Sequence, residues 1–182
     1  EGDRRELRKA IVALQSQLSP SQISVERGTV RLGYGDGVAD GRRSYGGSGH
    51  AIRFESPAGR YRLCGLQLFG SRYGTKEPPN EKFEIHILDE ARGLLQTLQF
   101  PYALFDRGPD RWVFLTVSPW VTVPAVFWVA VEFHANETDG VYLGFERTGT
   151  PSRSMVGTPS AALFPWDPNA DWMIGAFVCP GN

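Results

Sequence analysis

From about Ser24 onward, apolar and polar residues alternate in short runs, and turn-forming residues interrupt those runs at close intervals. No other feature narrows the fold as far. A period of two puts successive side chains on opposite faces of an extended strand. The run Lys82 to Asp89 (KFEIHILD) shows it: Phe83, Ile85 and Ile87 share one face, Glu84 and His86 the other. His50 to Glu55 (HAIRFE) repeats the pattern, with His50, Ile52 and Phe54 together. The whole reads as about eight or nine strands with turns every 8–12 residues, the signature of a sandwich or barrel. Many strands carry apolar residues on both sides, which favours two stacked sheets over one open sheet. The expected fold is all-β: a two-sheet antiparallel sandwich, jelly-roll-like, with one N-terminal helix.

The strand bounds follow from the breakers. Tyr61 to Phe69 is expected as a strand, and the loop after it as strand-free, because Pro78-Pro79 supplies no amide hydrogens for a ladder. Trp112 to Val117 and Ala125 to Ala135 are expected next, the second as the longest strand. Asp139-Gly140 marks the turn into Val141 to Glu146. A Ser/Thr/Pro/Gly-rich stretch then leads to a last strand, Trp172 to Val178.

The helix is expected over Asp3 to Leu18. Leu7, Ile11, Leu14 and Leu18 fall in steps of four, three and four, an apolar stripe that Ser19-Pro20 ends. Residues 1–20 therefore read as a linker or stalk helix and 21–182 as the sandwich domain. The chain opens on Glu1 without a charged-then-apolar leader, which suggests a piece of a longer protein.

Nineteen Lys and Arg against 20 Asp and Glu leave a net charge of −1. That balance argues against nucleic acid or an anionic membrane as the partner. The apolar stretch Val117 to Val131 is broken by Pro119 and Pro124, so no direct membrane insertion is expected. Cys64 and Cys179 are the two cysteines. Two buried thiols are the first expectation, and a disulfide joining the first half to the C-terminal strand is the alternative.

Chemistry-bearing patterns are few. Gly47-Ser48-Gly49-His50 lacks the strand–turn–helix frame of a hydrolase nucleophile. The glycine loops around Gly35 and Gly47 lack the Lys-Ser/Thr of a phosphate cradle. Asp167, Asn169 and Asp171 take positions one, three and five of a calcium loop, but Trp172 and Val178 replace its glycine and its glutamate. The motifs assign no cofactor and no catalytic residue.

The sharpest pattern is a repeated Glu-x-His: Glu84 with His86, and Glu132 with His134. Residues two apart share a strand face. Were the two strands neighbours in register, two imidazoles and two carboxylates would converge into a set able to bind zinc or another divalent ion. Otherwise these are solvated strand faces. Loop aromatics and charges form a second candidate. Tyr45, Arg72, Tyr73, Trp166 and Asp171 combine stacking and hydrogen-bonding chemistry suited to a sugar or peptide, or they plug the ends of the sandwich. Asn136-Glu137-Thr138 matches an N-glycosylation acceptor.

Several runs stand out as a set: GDGVADGRRSYGGSGHAIRFESPAG, LFGSRYGTKEPPNEKFEIHILDE, FPYALFDRG, GVYLGF and DWMIGAFV. Together they resemble an uncharacterised β-sandwich domain that recurs in large multidomain bacterial proteins, notably of planctomycete type. The resemblance spans about Val30 to Val178. It implies an appended module, in some chains beside membrane zinc-peptidase or sensor segments, and so a periplasmic or extracellular domain with a membrane-tethered parent. The expected function is a non-catalytic recognition module for a glycan, peptide or protein. The alternatives are a small metal-dependent enzyme using Glu84, His86, Glu132 and His134, or a structural spacer.

Overall fold

A computed structural model describes residues 28–181. The expected helix over Asp3 to Leu18 lies outside them. The described chain is an all-β antiparallel sandwich. One layer holds β1 (Val30–Leu32), β2 (Gly41–Arg43), β4 (Tyr61–Tyr73), β7 (Arg111–Val123), β9 (Gly140–Arg147), β12 (Ala170–Trp172) and β13 (Ile174–Pro180). The other runs in the order β11 (Ala162–Pro165), β10 (Ser154–Thr158), β3 (His50–Glu55), β8 (Val126–Glu132), β5 (Lys82–Asp89) and β6 (Leu94–Pro101). The chain passes repeatedly from one layer to the other, as a jelly-roll-like sandwich requires.

Alternation builds the core. Phe83, Ile85 and Ile87 of β5 and Phe127, Val129 and Val131 of β8 point inward and are buried to completion. They meet Leu63, Leu66 and Leu68 of β4, with Ile174, Ala176 and Val178 of β13. Phe83 sits at an aromatic hub with Phe100, Tyr102, Phe105 and Phe133. The outer face of β8 carries a second small cluster, in which Trp128 and Ala130 pack with Ala51, Leu88 and Leu163.

Four expectations are corrected. First, β4 does not stop at Phe69: Gly70 to Tyr73 continue the strand and pair with Leu143 to Gly140 of β9. Gly70 marks a close approach of two backbones; a Cβ there would lie 2.1 Å from the Tyr142 carbonyl oxygen. Second, β7 runs through Pro119 to Val123, because its register against β4 shifts there and the ladder accommodates the proline. Third, β8 ends at Glu132, so β4 and β7, at 13 residues each, are the longest strands. Fourth, the Ser/Thr/Pro/Gly-rich stretch holds β10, β11 and β12, whose small polar residues bond internally.

Cys64 and Cys179 form a disulfide across β4 and β13, with Cα atoms 6.0 Å apart. This corrects the first expectation of two free thiols. A bulge in the β4–β13 register, between Phe177 and Val178, brings the two cysteines into reach.

A buried carboxyl organises the first glycine loop. Glu146 of β9 accepts from the Asp36 and Gly37 amides. Gly35, at φ +84°, lies so close that a Cβ would sit 2.1 Å from the carboxylate. Burial, reinforced by the neighbouring Asp36 carboxyl, pushes Glu146 up to about 7, against the pull of the amides. The folded state thus keeps a proton that the unfolded chain has already released. This group's contribution to stability therefore falls as pH rises from about 4.5 to about 7, then levels off. In Glu146→Gln that loss should vanish, as read from thermal melts across this pH range; an unchanged pH profile would refute the assignment.

Candidate metal centre and end cleft

The Glu-x-His pattern resolves into one site. β5 and β8 are adjacent and antiparallel, with Glu84 directly opposite Glu132 and His86 opposite Ala130. Both glutamates and His86 therefore project from the outer face of the second sheet. His86 Nε2 lies 3.5 Å from Glu132 Oε2 and 3.8 Å from Glu84 Oε2. One donor atom from each of the three side chains can be chosen so that all lie within 4.8 Å of one another.

His134 joins them by an unexpected route. It was expected on the strand, sharing a face with Glu132. Instead it lies two residues past the end of β8, with φ +46°. That left-handed conformation is uncommon outside glycine. It carries the ring back over the site, with Nδ1 3.5 Å from Glu132 Oε1 and Nε2 3.8 Å from Glu84 Oε2. Exposure grades across the set: side chains are 12% exposed at His86, 20% at Glu132, 28% at Glu84 and 47% at His134.

Two outer partners, missed in the sequence, hold the set. Thr97 Oγ1 shares a 3.1 Å hydrogen bond with His86 Nδ1, and Gln99 Nε2 donates to Glu84 Oε1 at 3.1 Å. Both lie on β6, where the hairpin register places Thr97 opposite His86 and Gln99 opposite Glu84. That register was the available signal, since the hairpin turn itself is legible at Glu90 to Gly93.

His134 also lines a cleft of about 310 Å³ at one end of the sandwich. Arg72, Glu81, Tyr102, Phe133 and Asn136 contribute to its walls. Tyr102 donates its hydroxyl to the Phe133 carbonyl, and burial pushes its phenol up to about 12. Arg72 was expected in an open loop. It is buried, donating to the Thr75 and Lys76 carbonyls, while its Nε has no hydrogen-bond partner. Tyr73 hydrogen-bonds the Asn136 carbonyl and packs on Tyr142 beside the same cleft.

The other three loop candidates lie elsewhere. Trp166 stacks on Trp172 at 3.7 Å, and Tyr45 meets the edge of Trp172 and the ring of His50. His50 Nε2 donates to the Arg43 carbonyl at 3.3 Å, and burial lowers the imidazole to about 4, so it is neutral at pH 7. Asp171 is 2% exposed and accepts from the Arg153 amide and the Ser154 hydroxyl. Asp167 caps the Asn169 amide and pairs with Arg147, so the calcium-like triplet is spent on separate internal bonds.

Neither a protein-family model nor a curated protein matches the chain.

Proposed function

We propose that the chain is a ligand-recognition module of a larger extracytoplasmic protein, acting by binding. The observation that carries this reading is the end cleft. Its volume is at the lower end of small-ligand sites, which run about 300–1,000 Å³. Its floor is closed by the buried rings of Tyr102 and Phe133, and Glu81, His134 and Asn136 supply polar groups at its walls. That lining suits a sugar or a short peptide, whose hydroxyl and amide groups the amide, imidazole and carboxylate side chains can hydrogen-bond and orient. A cell-envelope or extracellular setting is supported by the Cys64–Cys179 disulfide, since such bonds persist in oxidising compartments. Among the described residues, no helix is long and apolar enough to cross a membrane.

The test is a panel of glycans and peptides offered to the purified chain, with Glu81→Arg as the comparison. Glu81 is exposed at the cleft wall, so the fold should survive its replacement. A ligand retained by the parent chain and lost by the variant is the expected result. A blank panel, or a ligand indifferent to the substitution, would overturn the reading.

A further inference from the structure

Two carboxylates directly opposite each other on neighbouring strands repel. Glu84 and Glu132 are such a pair, and among the described residues their ion-pair partners are His86 and His134. A bound cation offsets that repulsion, and the details of the site fit one.

Spacing comes first. Donor atoms about 2.0–2.1 Å from a tetrahedral zinc ion lie about 3.3–3.4 Å from one another. The observed separations from His86 Nε2, 3.5 and 3.8 Å, need only a small contraction to reach that. The outer partners come second. When His86 Nδ1 donates to Thr97 Oγ1, its Nε2 lone pair is left facing both glutamates. Gln99 likewise occupies Oε1 of Glu84 and leaves Oε2, the atom turned toward both histidines. Ligands oriented by a second layer of hydrogen bonds are what metal sites require. Donor type comes third. Imidazole beside carboxylate suits zinc and its first-row neighbours, whereas calcium and magnesium take oxygen ligands.

We propose that Glu84, His86 and Glu132 bind a divalent transition-metal ion, zinc by preference, on the outer face of the second sheet. Three protein ligands leave a tetrahedral ion one exchangeable position. His134, half exposed, stands beside it and links the site to the end cleft. This site goes beyond the recognition reading and does not rest on it.

The full chain, stripped by chelation, is titrated with zinc alone and with magnesium or calcium alone, by calorimetry and by elemental analysis after desalting. One zinc ion per chain is expected, with a raised melting temperature and no uptake of magnesium or calcium. Cobalt(II) should show the absorption of a tetrahedral site. His86→Ala should weaken zinc binding by at least the about 10–100-fold that loss of an outer partner costs, and Thr97→Val by about that factor. Each metal-free variant should melt near the metal-free parent, because these side chains lie outside the core. Failure to retain zinc, or zinc binding unchanged in both variants, would overturn the proposal. The Glu81→Arg comparison leaves all three ligands in place, so failure of the cleft reading is distinguishable from failure of the metal site.

Discussion

Replacing Cys64 and Cys179 together by alanine is expected to destabilise the chain by about 2–5 kcal/mol. The bond closes a loop across a sequence separation of 115 residues. On the chain-entropy account, a loop of about 100 residues is worth about 4.7 kcal/mol. Both cysteines are buried, so the two alanines also leave small voids between β4 and β13. For a domain of this size each kcal/mol moves Tm by about 2–4 °C, so a fall on the order of 10 °C is expected. Thermal melts of the oxidised parent and the double variant measure it. Equal melting temperatures would show that the bond contributes nothing to stability.

The second large effect is expected at Asp171, where Asp171→Ala should cost about 2–6 kcal/mol, because it strands two donors at about 1–3 kcal/mol each. Asp171 lies on β12 in the first sheet. Its Oδ1 accepts from the Arg153 amide at 2.7 Å and the Ser154 hydroxyl at 2.9 Å. The same hydroxyl accepts from the Trp172 amide, and Trp172 Nε1 donates to the Met155 carbonyl. The carboxylate thus ties one sheet to β10 of the other. Its loss leaves buried donors unsatisfied and the Arg153 guanidinium without its counter-charge. Asp171→Asn, which keeps an acceptor oxygen, should cost distinctly less. Urea unfolding of the two variants separates them, and a parent-like Asp171→Ala would contradict the bridging role. The same residue looked like a ligand group in the sequence. A loop-like context of Pro168, Asn169 and Ala170 hides the buried partner.

What was legible and what was not divides along a physical line. Strand identity is local, and alternation in KFEIHILD or HAIRFE displays it: β5 and β3 begin and end where expected. Strand length is less local. Gly70 and Pro119 are breakers by their own chemistry, yet β4 passes through the first because a neighbouring backbone comes too close for any Cβ. Pairing between distant strands is not local at all. The two Glu-x-His steps were visible, but their convergence depends on β8 lying beside β5, which sheet order decides. His134 shows the limit most sharply. It reaches the site through a left-handed backbone turn, where the sequence offered an extension of the strand. The disulfide belongs to the same class, since nothing in the chain's text sets the β4–β13 register.

β4 is hydrogen-bonded on both sides, to β7 on one edge and to β13 and β9 on the other. During synthesis those partners arrive very unequally. At about 5–20 residues per second, the sequence separation of 115 between the two cysteines takes roughly 6–23 s to synthesise. For that interval the Tyr61 to Leu68 part of that edge lacks its native neighbour, and it is a template for any other extended chain nearby. Until β13 arrives a nascent sandwich of this strand order carries an open edge, and its yield should fall as the concentration of other extended chains rises.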